Sequence, residues 1–275
     1  MSGPEDRIVK HYTKGGLFDR IMEGLSASGK EAVALRPEDL KPVDEFHIGG
    51  VEATNELLDQ LEVGKDTRVL DIGSGIGGPA RHIVSRHGAQ VTGLDLTAEF
   101  VDTAKKLTEL VGLGVVFQVG SALDMPFDAD QFDVATLIHV GMNLPDKPKL
   151  FAEVARVLCP GGTFAVYDVM QLGEEHPAFP LPWASVPEAS FLERPSTYID
   201  SASSAGFTLV VQRERGEFAR KFFEKLAASL AGSTPPPLGL GLLMGADAQV
   251  KVRNMVSAVG SGHIAPVEMI FRAPN

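Results

Sequence analysis

Between residues 51 and 170 the apolar positions switch repeatedly between a helical and an extended spacing. Residues 51–61 place Ala53, Leu57, Leu58 and Leu61 three to four apart, which predicts a helix. Residues 67–72 form a short β-branched run that stops at Gly73 and predicts a strand. Residues 79–87 read as a helix with Pro79 in the first turn, where a missing N–H costs little. A strand over 90–94, a helix over 98–111, strands over 115–119 and 132–138, and a helix over 147–158 follow. Pro160-Gly161-Gly162 is read as ending that last helix, and 163–169 as a fifth strand. Strand and helix alternating at this cadence predict an α/β fold, a doubly wound parallel sheet covered by helices on both faces. The strands are apolar almost throughout, as strands covered on both sides are.

The flanks read differently. Residues 1–50 carry two short amphipathic patterns, around 8–11 and 17–25, then a polar, proline-containing connector; together they predict a helical lid. After Val169 the rhythm breaks. Residues 171–195 contain Pro177, Pro180, Pro182, Pro187 and Pro195 and read as a long ordered loop, a feature usually tied to function. A short helix (196–205), a strand (207–212), a long helix (217–231) broken by Pro235-Pro236-Pro237, a further helix (247–259) and a last strand (266–271) complete the chain. The segment 214–262 is too long for a sheet connection and is read as a helical cap over the strand ends. That leaves 51–213 with 263–275 as the core.

Composition narrows the functions open to such a chain. At 44% hydrophobic and 22% charged residues, 275 residues can bury a substantial core, which excludes wholesale disorder. The net charge of −11 leaves no diffuse basic footprint, and Lys105-Lys106 and Arg220-Lys221 read as solvated helix faces, so no nucleic-acid partner is expected. One cysteine, Cys159, permits no internal disulfide and fits a reducing, cytoplasmic setting. Residues 1–12 are charged and do not read as a signal peptide; the longest loosely apolar run, 238–244, is far short of the ~20 residues of a membrane span. His82, His87, His176 and His263 have no partner at metal spacing, so no metal is expected.

The chemistry concentrates in Val69-Leu70-Asp71-Ile72-Gly73-Ser74-Gly75-Ile76-Gly77-Gly78. Glycines where a strand turns into a helix let the backbone approach a ligand, and the helix start offers free N–H groups. The spacing alone leaves three options open: a dinucleotide, another adenosine ligand, or a tight turn with no ligand. Asp71 weighs between them. A carboxylate at the strand tip repels a pyrophosphate and attracts an ammonium group. A ligand with adenosine at one end and an amino acid at the other, S-adenosylmethionine (its product S-adenosylhomocysteine), has that ammonium and no phosphate. Asp95 lies 22 residues past Gly73, near the ~20 expected of a ribose-binding acid, although it also stands where it can cap the next helix, a role open to Thr97 as well.

With these residues in place the sequence resembles the class I S-adenosylmethionine-dependent methyltransferases. Within them it is similar to the small-molecule branch with the sarcosine/dimethylglycine and ubiquinone/menaquinone-type enzymes. The resemblance is carried by residues 71–78, Thr92-Gly93-Leu94-Asp95-Leu96-Thr97, residues 120–127 (Gly120 to Phe127), Phe132-Asp133 and residues 157–162 (Val157 to Gly162), together with residues 46–50 and 142–147. It implies a seven-stranded, Rossmann-like sheet of order 3-2-1-4-5-7-6 with the last strand antiparallel, and cofactor at the tips of strands 1, 2 and 4. It implies that Asp71 with the Gly73, Ser74 and Gly75 backbone holds the methionine part, that Asp95 and Leu96 hold ribose and adenine, and that Ser121, Ala122 and Leu123 edge the adenine ring. The sequence departs from the family after Gly120, where an aspartate is usual. Tyr12 matches a lid tyrosine, its other reading being a surface aromatic, and His47 is placed near the cofactor carboxylate. Residues 171–262 resemble the family far less.

Methyl transfer from a sulfonium is an in-line displacement, so alignment of the reacting atoms supplies much of the rate. A base is needed only if the acceptor loses a proton. His139, just after the fourth strand, is the candidate, its alternative being a passive ring beside a backbone contact. Asp168 is expected at the same rim, orienting His139 or binding an amine, unless it is a solvated strand-end acid. Asn143, Trp183, Phe191 and Met244 are the acceptor-binding candidates, with Phe179, Phe222, Phe223, Leu240, Leu242 and Leu243 as further wall or plain cap core. The apolar excess favours an apolar or aromatic small-molecule acceptor. An amino-acid acceptor of the sarcosine/dimethylglycine type would instead require a cation such as Arg194, Arg220, Lys251 or Arg253. Asp71 disfavours a nicotinamide-dependent oxidoreductase, and the rim residues disfavour a non-catalytic cofactor-binding protein. N-, O- or C-methylation and homodimer formation are left open.

Overall fold

The computed structural model describes residues 3–230 and 236–275. Four helices come first: α1 (Pro4–Tyr12), α2 (Leu17–Ala27), α3 (Pro37–Asp44) and α4 (Gly50–Leu58). The alternating part follows as β1 (Arg68–Ile72), α5 (Gly78–His87), β2 (Gln90–Asp95), α6 (Ala98–Leu110), β3 (Val115–Val119), β4 (Phe132–Ile138), α7 (Lys147–Val157) and β5 (Leu158–Gln171). Then come α8 (Pro195–Ser204), β6 (Thr208–Glu214), α9 (Gly216–Leu230), α10 (Gly241–Met244), α11 (Ala248–Gly260) and β7 (Ile264–Arg272). The expected helix end at 231 and Pro235 lie outside the described residues. No helix among the described residues is long and apolar enough to cross a membrane.

The seven strands form one sheet of order β3-β2-β1-β4-β5-β7-β6, as the resemblance implied. β1 to β5 pair in parallel, and β7 runs antiparallel to both β5 and β6. The chain steps outward from β1 through β2 to β3, then crosses back to β4. The tips of β1 and β4 therefore flank the crevice where open α/β sheets bind ligands. β1 is hydrogen-bonded on both edges, and Val69, Leu70, Asp71 and Ile72 are all buried, so one carboxylate is carried into the centre of an apolar strand.

Both faces of the sheet are filled. Phe151, Phe164, Phe207 and Phe271 pack edge-to-face on the α7–α8 side, and Leu58, Ala80, Ile83 and Val101 cover the other. In the segment 214–262, α9 and α11 pack against β7, while α10 sits on α2, where Leu243 and the preceding Leu238 join the cluster of Leu17, Ile21 and Leu25.

Two local expectations need correcting. The polar connector before residue 50 contains α3, docked on α5 by the buried ion pair of Asp44 with Arg81. Gly78 permits the docking, since a Cβ there would stand 1.9 Å from the Asp44 carbonyl oxygen. Secondly, Pro160-Gly161-Gly162 does not separate α7 from the strand. β5 starts at Leu158, directly after α7, and the three residues form an irregularity inside it, between the pairs Phe132–Leu158 and Val134–Thr163. The chain's end holds it there: the Gly161 N–H donates to the Pro274 carbonyl (3.0 Å) and the Ala273 N–H to the Gly162 carbonyl (2.8 Å).

Candidate functional site

The loop after β1 is shaped by left-handed glycines, with φ of 71° at Gly73 and 55° at Gly75. Gly73 also has no room for a side chain, because a Cβ would lie 2.3 Å from Val140 Cγ2. Its N–H and that of Ser74 donate to the Leu94 carbonyl, which presses the loop onto the tip of β2. Asp95, at that tip, accepts from the Gly75 N–H and the Thr97 N–H, both at 2.8 Å, one on each carboxylate oxygen. Asp95 thus braces the glycine loop and the start of α6, and each oxygen keeps a lone pair for a ligand hydroxyl. Thr97 makes no side-chain cap.

Asp71 is buried opposite Thr136 of β4, whose hydroxyl donates to Oδ1 at 2.9 Å. Its Oδ2 is buried and meets no partner among the described residues, as do Ser74 Oγ and His139 Nε2. Burial pushes the Asp71 carboxyl up to about 7; the Thr136 bond opposes the shift, and the charges of Glu45 and Asp95 add to it. These three, of five buried side-chain atoms without a partner among the described residues, belong to residues lining one cavity of about 120 Å³, with Leu96, Ala122 and Asn143 also in its wall. Buried polar atoms normally find a partner, so three orphans around one cavity mark a place for a polar ligand.

His139 has φ of 55°, a conformation uncommon outside glycine. Its N–H continues the β4–β5 ladder by donating to the Tyr167 carbonyl (2.8 Å), and its ring stacks on the Tyr167 ring at 5.3 Å. The Tyr167 hydroxyl donates to the Ile48 carbonyl, tying the stack to the segment before α4. Burial holds the imidazole well below its usual pKa, and the neighbouring His47 adds to the effect. His47 is itself buried and pushed down to about 4. Its Nε2 lies 3.0 Å from both the Gly50 carbonyl and Thr54 Oγ1, and the Thr54 hydroxyl in turn donates to Glu45. With that hydroxyl hydrogen used, Nε2 of His47 is the donor to Thr54.

A second cavity, of about 560 Å³, opens on the far side of these histidines. Trp183, Phe222, Phe223, Leu240, Leu242 and Met244 are in its wall, and no charged side chain lines it among the described residues. Tyr12, Phe46, His47 and His139 line both cavities and form the seam between them. Tyr12 faces inward, its hydroxyl donating to Asn143 Oδ1 at 3.2 Å.

Several expected site residues lie elsewhere. Asp168 does not reach His139: it is fully buried, accepts from the Tyr198 hydroxyl (2.6 Å) and the Gly141 N–H, and is pushed up to about 7 by burial. It holds the short 3-10 turn Gly141–Asn143 from behind. Ser121 and Leu123 are not in the cavity wall. The Ser121 hydroxyl bonds to Glu5 of α1 and accepts from the Leu123 N–H. Phe191 lines neither cavity; its backbone bonds to Met142 and to Lys147 Nζ. Of the four cations considered for an amino-acid acceptor, none lines either cavity: Arg194 pairs with Glu174, and Lys251 is buried against the Met244 carbonyl. Thr136, Tyr167, Asp44 and Glu5 were not anticipated. Thr136, a polar residue in an apolar strand, carried a signal of its own; Glu5 carried none.

Residues 70–166 match the family model for a methyltransferase domain. Tocopherol O-methyltransferase of Arabidopsis thaliana is 36% identical over 168 residues, 60% of this chain and 45% of that protein. The chain spans about half or less of the length of the curated relatives it matches. The structure of geranyl diphosphate C-methyltransferase from Streptomyces coelicolor superposes with a TM-score of 0.71 at 17% identity, covering 99% of this chain and 98% of that one. The [4+2]-cyclase SpnF superposes with a TM-score of 0.65 at 21% identity, covering 94% and 95%. A fold shared with a cyclase does not choose the reaction, whereas the sequence match is to methyltransferases. Residues 70–166 of this chain are thus similar to a methyltransferase domain, and they lie within a seven-stranded fold shared with solved methyltransferases.

Proposed function

We propose that the protein transfers the methyl group of S-adenosylmethionine to an uncharged, largely apolar small molecule. One observation carries the reading: His139 stands at the seam between a carboxylate-lined cavity and a larger one that, among the described residues, has no charged side chain in its wall. The orphaned atoms fit the cofactor. Asp71 Oδ2 takes the ammonium, the Ser74 hydroxyl donates to the carboxylate, and Asp95 takes the ribose hydroxyls. Leu96 and Ala122 offer apolar surface to the base.

The cofactor supplies a methyl group on a sulfonium, which leaves as a neutral thioether. The chain's part is to align and dry the reacting atoms and to receive a proton. His139 Nε2 takes the proton of an acceptor hydroxyl. It gains a positive charge as the sulfonium loses one, so the buried site keeps the same net charge. Burial that disfavours an imidazolium in the free protein is then much less of a barrier. His47 has its Nε2–H engaged by Gly50 and Thr54.

Tocopherol, in the name of one relative, is a lipophilic acceptor, and geranyl diphosphate, in that of a structural neighbour, is an anion. The larger cavity suits the former kind. Its volume lies within the ~300–1,000 Å³ of small-molecule sites, and among the described residues it offers no cation to a phosphate or carboxylate. Label transfer from methyl-tritiated S-adenosylmethionine tests this against lipophilic phenols and alcohols, their phosphate esters, and sarcosine. Label is expected in the neutral compounds. Transfer only to the anions or to sarcosine overturns the acceptor class, and no turnover with any compound counts against methyl transfer.

A pH dependence follows from Asp71. In the free protein its carboxyl titrates at about 7, and only the ionised form pairs with an ammonium. Binding therefore expels a proton below pH 7, and affinity for S-adenosylhomocysteine rises by up to about tenfold per pH unit towards neutrality, then levels off. Calorimetry in buffers of different ionisation enthalpy reads both the affinity and the released proton. An affinity flat from pH 5.5 to 7.5 contradicts the pairing.

A further inference from the structure

We infer that Glu5, on helix α1, receives the exocyclic amino group of the adenine ring and so ties closure of α1 to the base of the bound cofactor. The inference rests on the S-adenosylmethionine site proposed above and adds a residue that no sequence motif marks.

Glu5, Ile8 and Tyr12 lie three and four residues apart on one face of α1, and all three line the smaller cavity. Leu94, Leu96, Gly120 and Ala122 give the same cavity apolar wall, and the Ser121 bond sets Glu5 beside Gly120 and Ala122. A purine seated there needs an acceptor for its amino hydrogens. Ser121, next in the chain after Gly120, is a poor one. Its single hydrogen goes to Glu5 Oε1, and one of its lone pairs takes the Leu123 N–H at 3.0 Å. Glu5 Oε2 meets no donor among the described residues. It is an ionisable carboxylate oxygen beside the position the base would occupy, and a stronger acceptor than a hydroxyl.

The rest of α1 gives this contact a consequence. Tyr12 bonds to Asn143 at the seam, and His11 Nε2 lies 3.0 Å from the Pro182 carbonyl in the proline-rich loop. Seven helical steps take the chain from Glu5 to Tyr12, about 10 Å. One short helix thus touches the base end of one cavity and the shared wall of both, and a base that engages Glu5 also holds Tyr12 in place.

The test compares binding of S-adenosylhomocysteine with S-inosylhomocysteine, in which a carbonyl replaces the amino group. The full-length protein is used with Glu5→Gln, Glu5→Ala and the double variant Glu5→Ala/Ser121→Asp. The unsubstituted protein is expected to prefer the adenosyl ligand by about tenfold or more, the worth of a charge-assisted hydrogen bond. Glu5→Gln, whose amide can turn its NH2 to the carbonyl, loses that preference. Glu5→Ala weakens the adenosyl ligand selectively, and a carboxylate restored at position 121 recovers the preference. A general loosening of α1 would weaken both ligands alike, and that result, or an unchanged preference in Glu5→Gln and Glu5→Ala, overturns the role of Glu5 while leaving the cofactor site standing. Failure of the unsubstituted protein to bind either ligand overturns both.

Discussion

Asp71→Asn is expected to weaken binding of S-adenosylhomocysteine by about 150- to 4,000-fold while the protein stays folded. Removing one partner of a buried charge pair costs ~3–5 kcal/mol, which sets that range. The substitution is nearly isosteric. The new amide oxygen can still accept from Thr136, and the amide nitrogen takes the place of Oδ2, presenting a donor to an ammonium that brings only donors. In the free protein the same change removes a carboxylate that burial already pushes up to about 7. At pH 8 the free variant should melt no lower than the unsubstituted protein, because its native state no longer holds that charge without a counter-ion. Calorimetry for affinity and thermal unfolding for stability separate the two effects. A ligand lacking the amino group should bind protein and variant alike. If S-adenosylhomocysteine also binds both alike, the ammonium does not sit at the tip of β1.

The placement of Asp71 in the cavity wall was readable in the sequence, because a lone carboxylate near the tip of an apolar strand that runs into a glycine loop lies beside the crevice. The same holds for Asp95 and for the alternation of β1 to β5, whose strands are covered on both faces and therefore apolar throughout. Asp168 shows where that logic stops. Successive side chains of a strand point to opposite faces. Tyr167 stacks on His139, so Asp168 turns the other way, to Tyr198 on α8. Nothing in a short apolar run fixes which of two neighbours faces the ligand. Helix α3 was missed for another reason. It contains Pro42 and buries only Leu40, Val43 and Asp44, so its apolar pattern is thin, and much of its hold on the fold comes from the Asp44–Arg81 pair made across 37 positions of sequence. Ser121 and Glu5 lie 116 positions apart, beyond any local pattern. Phe191 was grouped with Trp183 by hydrophobicity alone, which cannot distinguish a cavity wall from the outer side of the same loop.

His139→Asn is expected to lower kcat by about 100- to 10,000-fold, the usual worth of a positioned proton acceptor, with little change in affinity for S-adenosylhomocysteine. Asparagine is the informative replacement because it tolerates the left-handed backbone that His139 adopts, φ 55°, better than most residues do. The turn beyond β4, with Asn143 and the Asp168 anchor, is then preserved, and the imidazole alone is lost. The two candidate roles separate cleanly. A ring that only packs against Tyr167 would, when removed, loosen the cavity wall and weaken ligand binding along with turnover. A proton acceptor would leave binding intact and abolish the acid limb of the pH–rate profile. That limb should lie below the ordinary histidine range, since burial, with His47 beside it, holds the imidazole neutral far into acid. His47→Asn, tested in parallel, should show the reverse emphasis. Its Nε2 bonds to Gly50 and Thr54, so its loss should disturb the α4 start and ligand affinity more than the proton transfer.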